Sequence, residues 1–158
     1  MKYEKILVPY DGSENAKHAV EYAADMLTRY PDAKIIAFAS LAGPHDINNL
    51  LGGTAATVEF GAGKEVTEHY KKMRQENYDR NMARLQEEVG AIVANKDAVE
   101  YHLDYSVSPI KGILAAIKAY EADIVIMGCR GTSAIAGVLG SVTFGVIRSA
   151  DIPVTVVK

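Results

Sequence analysis

Hydrophobic residues fall along this chain as short unbroken runs separated by longer stretches of helical spacing. Ile6-Leu7-Val8 is the first run, and Pro9-Tyr10-Asp11-Gly12 stops it, which predicts a buried strand ending in a turn. Ala16, Ala19, Val20, Ala23, Ala24 and Leu27 then recur at i, i+3, i+4, i+7, the single buried stripe of a helix. Asp11 or Ser13 can cap its start, Glu14 follows Asp11 as in a capping box, and Pro31 ends it. Ile35-Ile36-Ala37-Phe38-Ala39 is a second strand. It is apolar throughout, as expected of a strand buried on both faces of a parallel sheet.

Periodicity disappears from Leu41 to about Lys64, where Gly43, Gly52, Gly53, Gly61 and Gly63 lie among small and polar residues. A long flexible loop is expected at 41–64. Helical spacing returns from about Glu65 to Ala94, with Val66, Tyr70, Met73, Tyr78, Met82, Leu85, Val89 and Ile92 near one face. Val99, Tyr101, Leu103 and Tyr105 next alternate with Glu100, His102 and Asp104, which predicts a half-exposed strand near a sheet edge. Ser108-Pro109 opens a further helix, with Ile110, Ile113, Leu114 and Ile117 as its buried stripe. Asp123 to Met127 is the next strand, Val142, Val146 and Ile147 mark a short helix, and Pro153 to Val157 form a last strand.

The resulting order, β-α-β-loop-α-β-α-β-α-β, predicts an α/β fold: one Rossmann-like domain over 1–158, with a five-stranded, mainly parallel sheet and helices on both faces. Ligands of such sheets bind beyond the carboxyl ends of the strands, near the point where strand order switches. Pro9 to Gly12, Ala39 to Leu41 and Met127 to Gly131 all fall at strand ends, so the fold would gather them.

Composition narrows the function classes. With 158 residues, 49% of them hydrophobic and a formal net charge of −3, the chain is an ordinary globular length with no basic excess. Bulk charge therefore gives no reason to expect nucleic acid or an anionic membrane surface as a partner. No apolar run approaches the ~20 residues of a membrane span. Few residues precede the first strand, which leaves no room for a signal peptide and makes a cytoplasmic location the expectation. Cys129 is the one cysteine, so no internal disulfide forms.

The most suggestive chemistry lies in Met127-Gly128-Cys129-Arg130-Gly131 and Gly140-Ser141-Val142-Thr143, directly after the apolar run Ile124-Val125-Ile126. Glycine permits positive φ and close approach of a ligand to the backbone. A helix opening at Gly140 would present unpaired N–H groups and the positive end of its dipole to an anion. The same Gly140-Ser141 pair also suits a plain turn and cap.

Taken together, these segments resemble the universal stress protein family over nearly the whole chain. The resemblance rests on Ile6 to Glu14 as opening strand and turn, and Ala122 to Gly128 as fourth strand. Gly128, Gly131 and Gly140-Ser141 are similar to the glycine motif of the ATP-binding members, and Ile152 to Val157 to the closing strand. The stretch Thr132 to Leu139 is one residue shorter than is usual in those members. The resemblance implies a nucleotide-binding protein, taking ATP or AMP with or without Mg²⁺, that acts in stress response or signalling without efficient catalysis. Asp11 would contact the adenosine, Pro9 and, through its backbone, Ala39 would line the adenine pocket, and Met127, Gly128 and Gly131 would border ribose and phosphates. Gly140, Ser141, Val142 and Thr143 would donate hydrogen bonds to phosphate. Family members commonly pair the C-terminal strand across a homodimer, and the same is expected here.

Two other function classes compete. One is a nucleotide-independent dimeric scaffold. The other is a weak ATPase or autophosphorylating protein using Asp11 and Ser141, with Arg130 in reach of phosphate. Cys129 beside Arg130 raises a redox reading, which a lone cysteine does little to support. Other motifs fail: Gly61-Ala62-Gly63-Lys64-Glu65 lacks the glycine spacing and Ser/Thr of a P-loop, and His18, His45, His69 and His102 have no metal-ligand spacing.

Overall fold

The computed structural model describes residues 3–42, 62–132 and 139–158. Five strands, β1 (Lys5–Pro9), β2 (Lys34–Ala42), β3 (Val99–Ser106), β4 (Ile124–Gly128) and β5 (Val154–Val157), form one sheet in the order β3-β2-β1-β4-β5. Every pairing is parallel. Among the described residues four α-helices accompany it: α1 (Glu14–Arg29), α2 (Ala62–Ile92), α3 (Pro109–Ala119) and α4 (Ser141–Ser149).

Alternation along the central strands divides the core into two layers. Ile6, Val8, Ile35, Ala37 and Ile126 face α1 and α2, where they meet Ala19, Val20, Leu85 and Val89. Leu7, Ile36, Phe38, Val125 and Met127 face α3 and α4 and pack on Ile113, Ala116, Ile117 and Val146. Both faces of β1 and β4 are thus apolar for the same reason: each is covered by helices. A fully buried Leu, Ile or Val contributes about 1.5–3 kcal/mol relative to exposure, so these layers dominate the stabilisation.

The edge position expected for the alternating strand is correct, since β3 lies at one end of the sheet. Other expectations change. The second strand runs on to Ala42, and the following helix begins at Ala62, so the expected loop 41–64 is shorter at both ends. Its interior, 43–61, with Gly43, His45, Gly52, Gly53 and Gly61, lies outside the described residues. Gly63 and Lys64 belong to the first turn of α2. Leu85 and Val89 in the carboxyl half of that helix are buried against the sheet, as is Val93 just beyond it, and Arg74 and Asn77 meet Tyr105 near the end of β3, whereas Met73 is 54% exposed. Ile147 on α4 is likewise 44% exposed, because the short helix lays only Val146 and Thr143 fully against the core.

Capping of α1 resolves the choice between Asp11 and Ser13. Ser13 is the N-cap, its hydroxyl accepting from the Ala16 N–H at 3.2 Å. Asp11 acts one step earlier, its Oδ1 accepting from the Ser13 N–H at 3.0 Å. Glu14 pairs with Lys17 at 2.7 Å instead of completing a capping box. Among the described residues no helix is long and apolar enough to cross a membrane.

Candidate functional site

Strand order switches between β1 and β4, which are neighbours although two strands separate them in the chain. A crevice opens beyond the carboxyl ends of strands at such a point, because the connections leave in opposite directions. Here it is a cavity of about 470 Å³. That volume is in the range of small-molecule sites.

One end of the cavity is apolar. Phe38 from β2, Met127 from β4 and Pro109 and Ile113 from α3 form it, with Pro9 at the end of β1. Ser40 interrupts this apolar wall. The opposite end is backbone and polar groups: Arg130, Gly131 and Thr132 after β4, and Gly140, Ser141 and Val142 at the start of α4.

Two hydrogen bonds fix that second end. The Gly140 N–H donates to the Cys129 carbonyl at 2.9 Å, and the Thr143 hydroxyl donates to the Gly128 carbonyl at 2.9 Å. They staple the first turn of α4 to the end of β4. Gly140 is the N-cap and has no side chain, so the orphan N–H groups of the first turn receive no side-chain cap. The dipole end of α4 and its N–H groups, which no side chain caps among the described residues, therefore face the cavity, an arrangement suited to an anion.

The glycines of this loop are present for space. Among described glycines only Gly12 has positive φ, at 81°. A Cβ on Gly128 would stand 2.8 Å from the carbonyl carbon of Asn15 in α1, and one on Gly131 would meet Oδ2 of Asp11. The Arg130 carbonyl accepts from the Ser13 hydroxyl and the Asn15 amide, each at 3.4 Å, so α1 and the loop after β4 hold one another.

Behind the Asp11 turn lies a charged cluster. The Tyr10 hydroxyl donates to Glu88 at 2.7 Å, and Arg84 Nε donates to the other oxygen of Glu88 at 2.7 Å. Hydrogen bonds from Arg84 and then Tyr10 hold the Glu88 carboxyl below its ordinary range. Burial, with the Glu88 hydrogen bond and charge added, pushes the Tyr10 phenol far above its usual value. Tyr10 is neutral at physiological pH, with its hydroxyl turned to α2 and its side chain in the α1/α2 layer.

The structure brings together Pro9, Asp11, Met127, Gly128, Gly131, Gly140, Ser141, Val142 and Thr143, all of which line the cavity. Ala39, expected at the pocket through its backbone, turns its side chain to the α1/α2 layer, and its neighbours Phe38 and Ser40 line the cavity. Thr143 is buried and its hydroxyl is committed to Gly128, so it positions α4. Cys129 is buried as well. Sequence reasoning missed Ser40, Pro109 and Ile113. The period-two pattern of β2 and the position of Pro109 at the opening of a helix beyond a strand end were the available signals. Among the described residues no group of three His, Cys, Asp or Glu side chains is placed to hold a metal ion.

A wholly parallel sheet, helices on both faces and a cavity at the switch point define a doubly wound α/β protein. More narrowly, the chain belongs to the universal stress protein family, whose sequence profile matches residues 2–158. It is similar to the universal stress protein MJ0531 of Methanocaldococcus jannaschii, with 30% identity over 162 residues, 99% of this chain and 82% of that protein. Its fold is similar to that of the hypothetical protein MJ0577, with a TM-score of 0.70, 24% identity, and 100% of this chain and 97% of that chain covered. A universal stress protein from Archaeoglobus fulgidus, solved in complex with dAMP, superposes with a TM-score of 0.60 and 18% identity over 100% of both chains. At these identities the two structures speak to the fold.

Proposed function

We propose that this protein binds an adenine nucleotide, ATP or AMP, in the switch-point cavity and acts in stress response or signalling without efficient turnover. The observation that carries this reading is the two-ended cavity. Its apolar end suits a flat base, and its other end offers the uncapped N-terminus of α4 to phosphate. The dAMP complex of the Archaeoglobus fulgidus protein supports the same ligand class.

In this reading Pro9 and the backbone of Ala39 border the base, Met127 borders the ribose, and Asp11, an acceptor without a donor, takes a ribose hydroxyl. Gly128 and Gly131 leave room for the ligand's approach. Gly140, Ser141 and Val142 supply donors to phosphate, Thr143 holds their helix in place, and Mg²⁺ arrives with ATP on phosphate oxygens. Each helix-end interaction is worth about 0.3–1 kcal/mol when exposed and up to about 2 when partly buried. Micromolar binding, about 8 kcal/mol, therefore needs base and phosphate ends together.

The protein is further proposed to work in the cytoplasm as a homodimer joined through β5. That strand ends the sheet, and Phe144 and Ile147 on α4 are 58% and 44% exposed. Light scattering at tens of micromolar checks the dimer, and a monomer refutes it. For the ligand, protein purified without added nucleotide is denatured and its extract examined by mass spectrometry, alongside thermal shifts with ATP, AMP and Mg²⁺. An adenine nucleotide in the extract, or a concentration-dependent shift, is expected. The absence of both would overturn the proposal.

A further inference from the structure

We propose that Ser40 reads the polar edge of the base in the nucleotide complex and so selects the ligand's base; the inference rests on the adenine-nucleotide reading above. Ser40 lies on the cavity face of β2, two residues from Phe38. Its Oγ is buried and has no hydrogen-bond partner among the described residues. The hydroxyl rests against the backbone of Gly112 in α3, where a Cβ would stand only 2.7 Å from Oγ.

Buried hydroxyls are nearly always partnered, because one removed from water with no acceptor or donor in reach is costly. The hydroxyls of two other lining residues are already engaged, Tyr10 with Glu88 on α2 and Thr143 with the Gly128 carbonyl. Ser40 is different: it shares the cavity wall with Phe38, Pro109 and Ile113, and its hydroxyl, set against Gly112 and Ser106, has no partner among the described residues, the Ser106 hydroxyl being spent on the Ser108 carbonyl. A purine edge supplies both ring-nitrogen acceptors and an exocyclic amine donor, and a serine hydroxyl can both donate and accept. Three staggered χ1 positions are open to serine, so meeting that edge needs one bond rotation. The base would thus satisfy the one polar side chain of an otherwise greasy wall, and its own edge would be satisfied in return.

The test compares wild type with Ser40→Ala by titration calorimetry with AMP, by displacement with ribose 5-phosphate, and by unliganded thermal melting. Ser40→Ala is expected to weaken AMP about tenfold, the scale of one lost hydrogen bond. Ribose 5-phosphate, which lacks a base, should bind both proteins alike, and the unliganded melting temperature should hold or rise because an unpartnered hydroxyl is gone. Equal AMP affinity in the two proteins overturns the role of Ser40 and leaves the nucleotide reading standing. Equal losses for AMP and ribose 5-phosphate, or a lowered unliganded melting temperature, assign Ser40 to structure and also overturn it. Failure of wild type to bind AMP or any adenine nucleotide overturns the underlying reading itself.

Discussion

Replacing Gly128 and Gly131 by alanine, one at a time, separates two reasons for having glycine in the loop after β4. At Gly128 the new methyl would lie 2.8 Å from the carbonyl carbon and Cβ of Asn15 and 2.9 Å from its carbonyl oxygen. Those atoms belong to the first turn of α1, which Ser13 caps, so they have no soft way to retreat. Either α1 or the end of β4 must shift, and such overpacking costs about 1–3 kcal/mol. A domain of this size loses about 2–4 °C of melting temperature per kcal/mol, so Gly128→Ala should melt about 2–12 °C lower. At Gly131 the methyl meets Oδ2 of Asp11, the far end of a rotatable side chain. Turning the carboxylate away relieves that contact at the expense of its hydrogen bond from the Ser13 N–H, about 0.5–1.5 kcal/mol, which the lower unfolded-state entropy of about 0.4–1 kcal/mol largely offsets, so Gly131→Ala should stay within about 1 kcal/mol of wild type. What Gly131→Ala loses is the position of Asp11 in the cavity, and AMP affinity should fall by about tenfold or more. Urea and thermal unfolding followed by circular dichroism, with AMP titration of both variants, gives the answer. Equal destabilisation by the two changes, or a neutral Gly128→Ala, would refute the reasoning.

Thr143→Val keeps the shape of a buried side chain but removes the donor to the Gly128 carbonyl, and should cost about 1–3 kcal/mol in urea unfolding. Gly12→Ala forces alanine to φ 81° and drives a methyl onto the Arg84 guanidinium. The left-handed backbone alone costs about 1–2 kcal/mol, and a melting temperature equal to wild type would contradict that account. Glu88 is held below its ordinary range by Arg84 and Tyr10, so between its folded and unfolded pKa values the unfolded state binds more protons. Stability from this carboxylate is full at neutral pH and is lost as pH falls through the depressed folded value. Glu88→Gln should therefore be less stable than wild type at neutral pH and converge with it in acid, and a gap unchanged at the lowest pH would count against the cluster.

Much of the fold is legible in the sequence because burial on both faces leaves no ambiguity in a strand. Ile6-Leu7-Val8 and Ile124-Val125-Ile126 have no polar position, which a strand permits only when helices cover both sides. The failures have a common origin, since helical spacing shows which face is apolar and not how far a partner extends. Met73 carries the same signal as Leu85, yet the sheet ends before α2 does, and Met73 remains 54% exposed. Ile147 repeats this on α4, where the helix is too short for more than Thr143 and Val146 to become fully buried. The site followed a similar rule. Residues at strand ends were legible because parallel topology sends every strand's carboxyl end to one side, whereas Pro109 and Ile113 enter from a helix whose tilt no local pattern records.

Ala39 and the glycines show what a motif leaves open about side chains. A motif fixes sequence positions, but a strand distributes successive side chains to opposite faces, so the step from Ala39 to Ser40 carries the wall of the cavity with it. A glycine-rich loop likewise suggests backbone freedom, yet the positive φ sits at Gly12, after β1, and not at Gly128, Gly131 or Gly140. Gly128 makes room for α1, Gly131 makes room for Asp11, and Gly140 caps α4 without supplying a side-chain acceptor. Each absent side chain therefore serves a different neighbour. The shorter stretch from Thr132 to Leu139 bears on none of those three contacts, because Gly140 is tied directly to Cys129 and Thr143 to Gly128. The anchors of α4 lie on either side of the shortened segment, so the helix can keep its place at the cavity with one residue fewer between them.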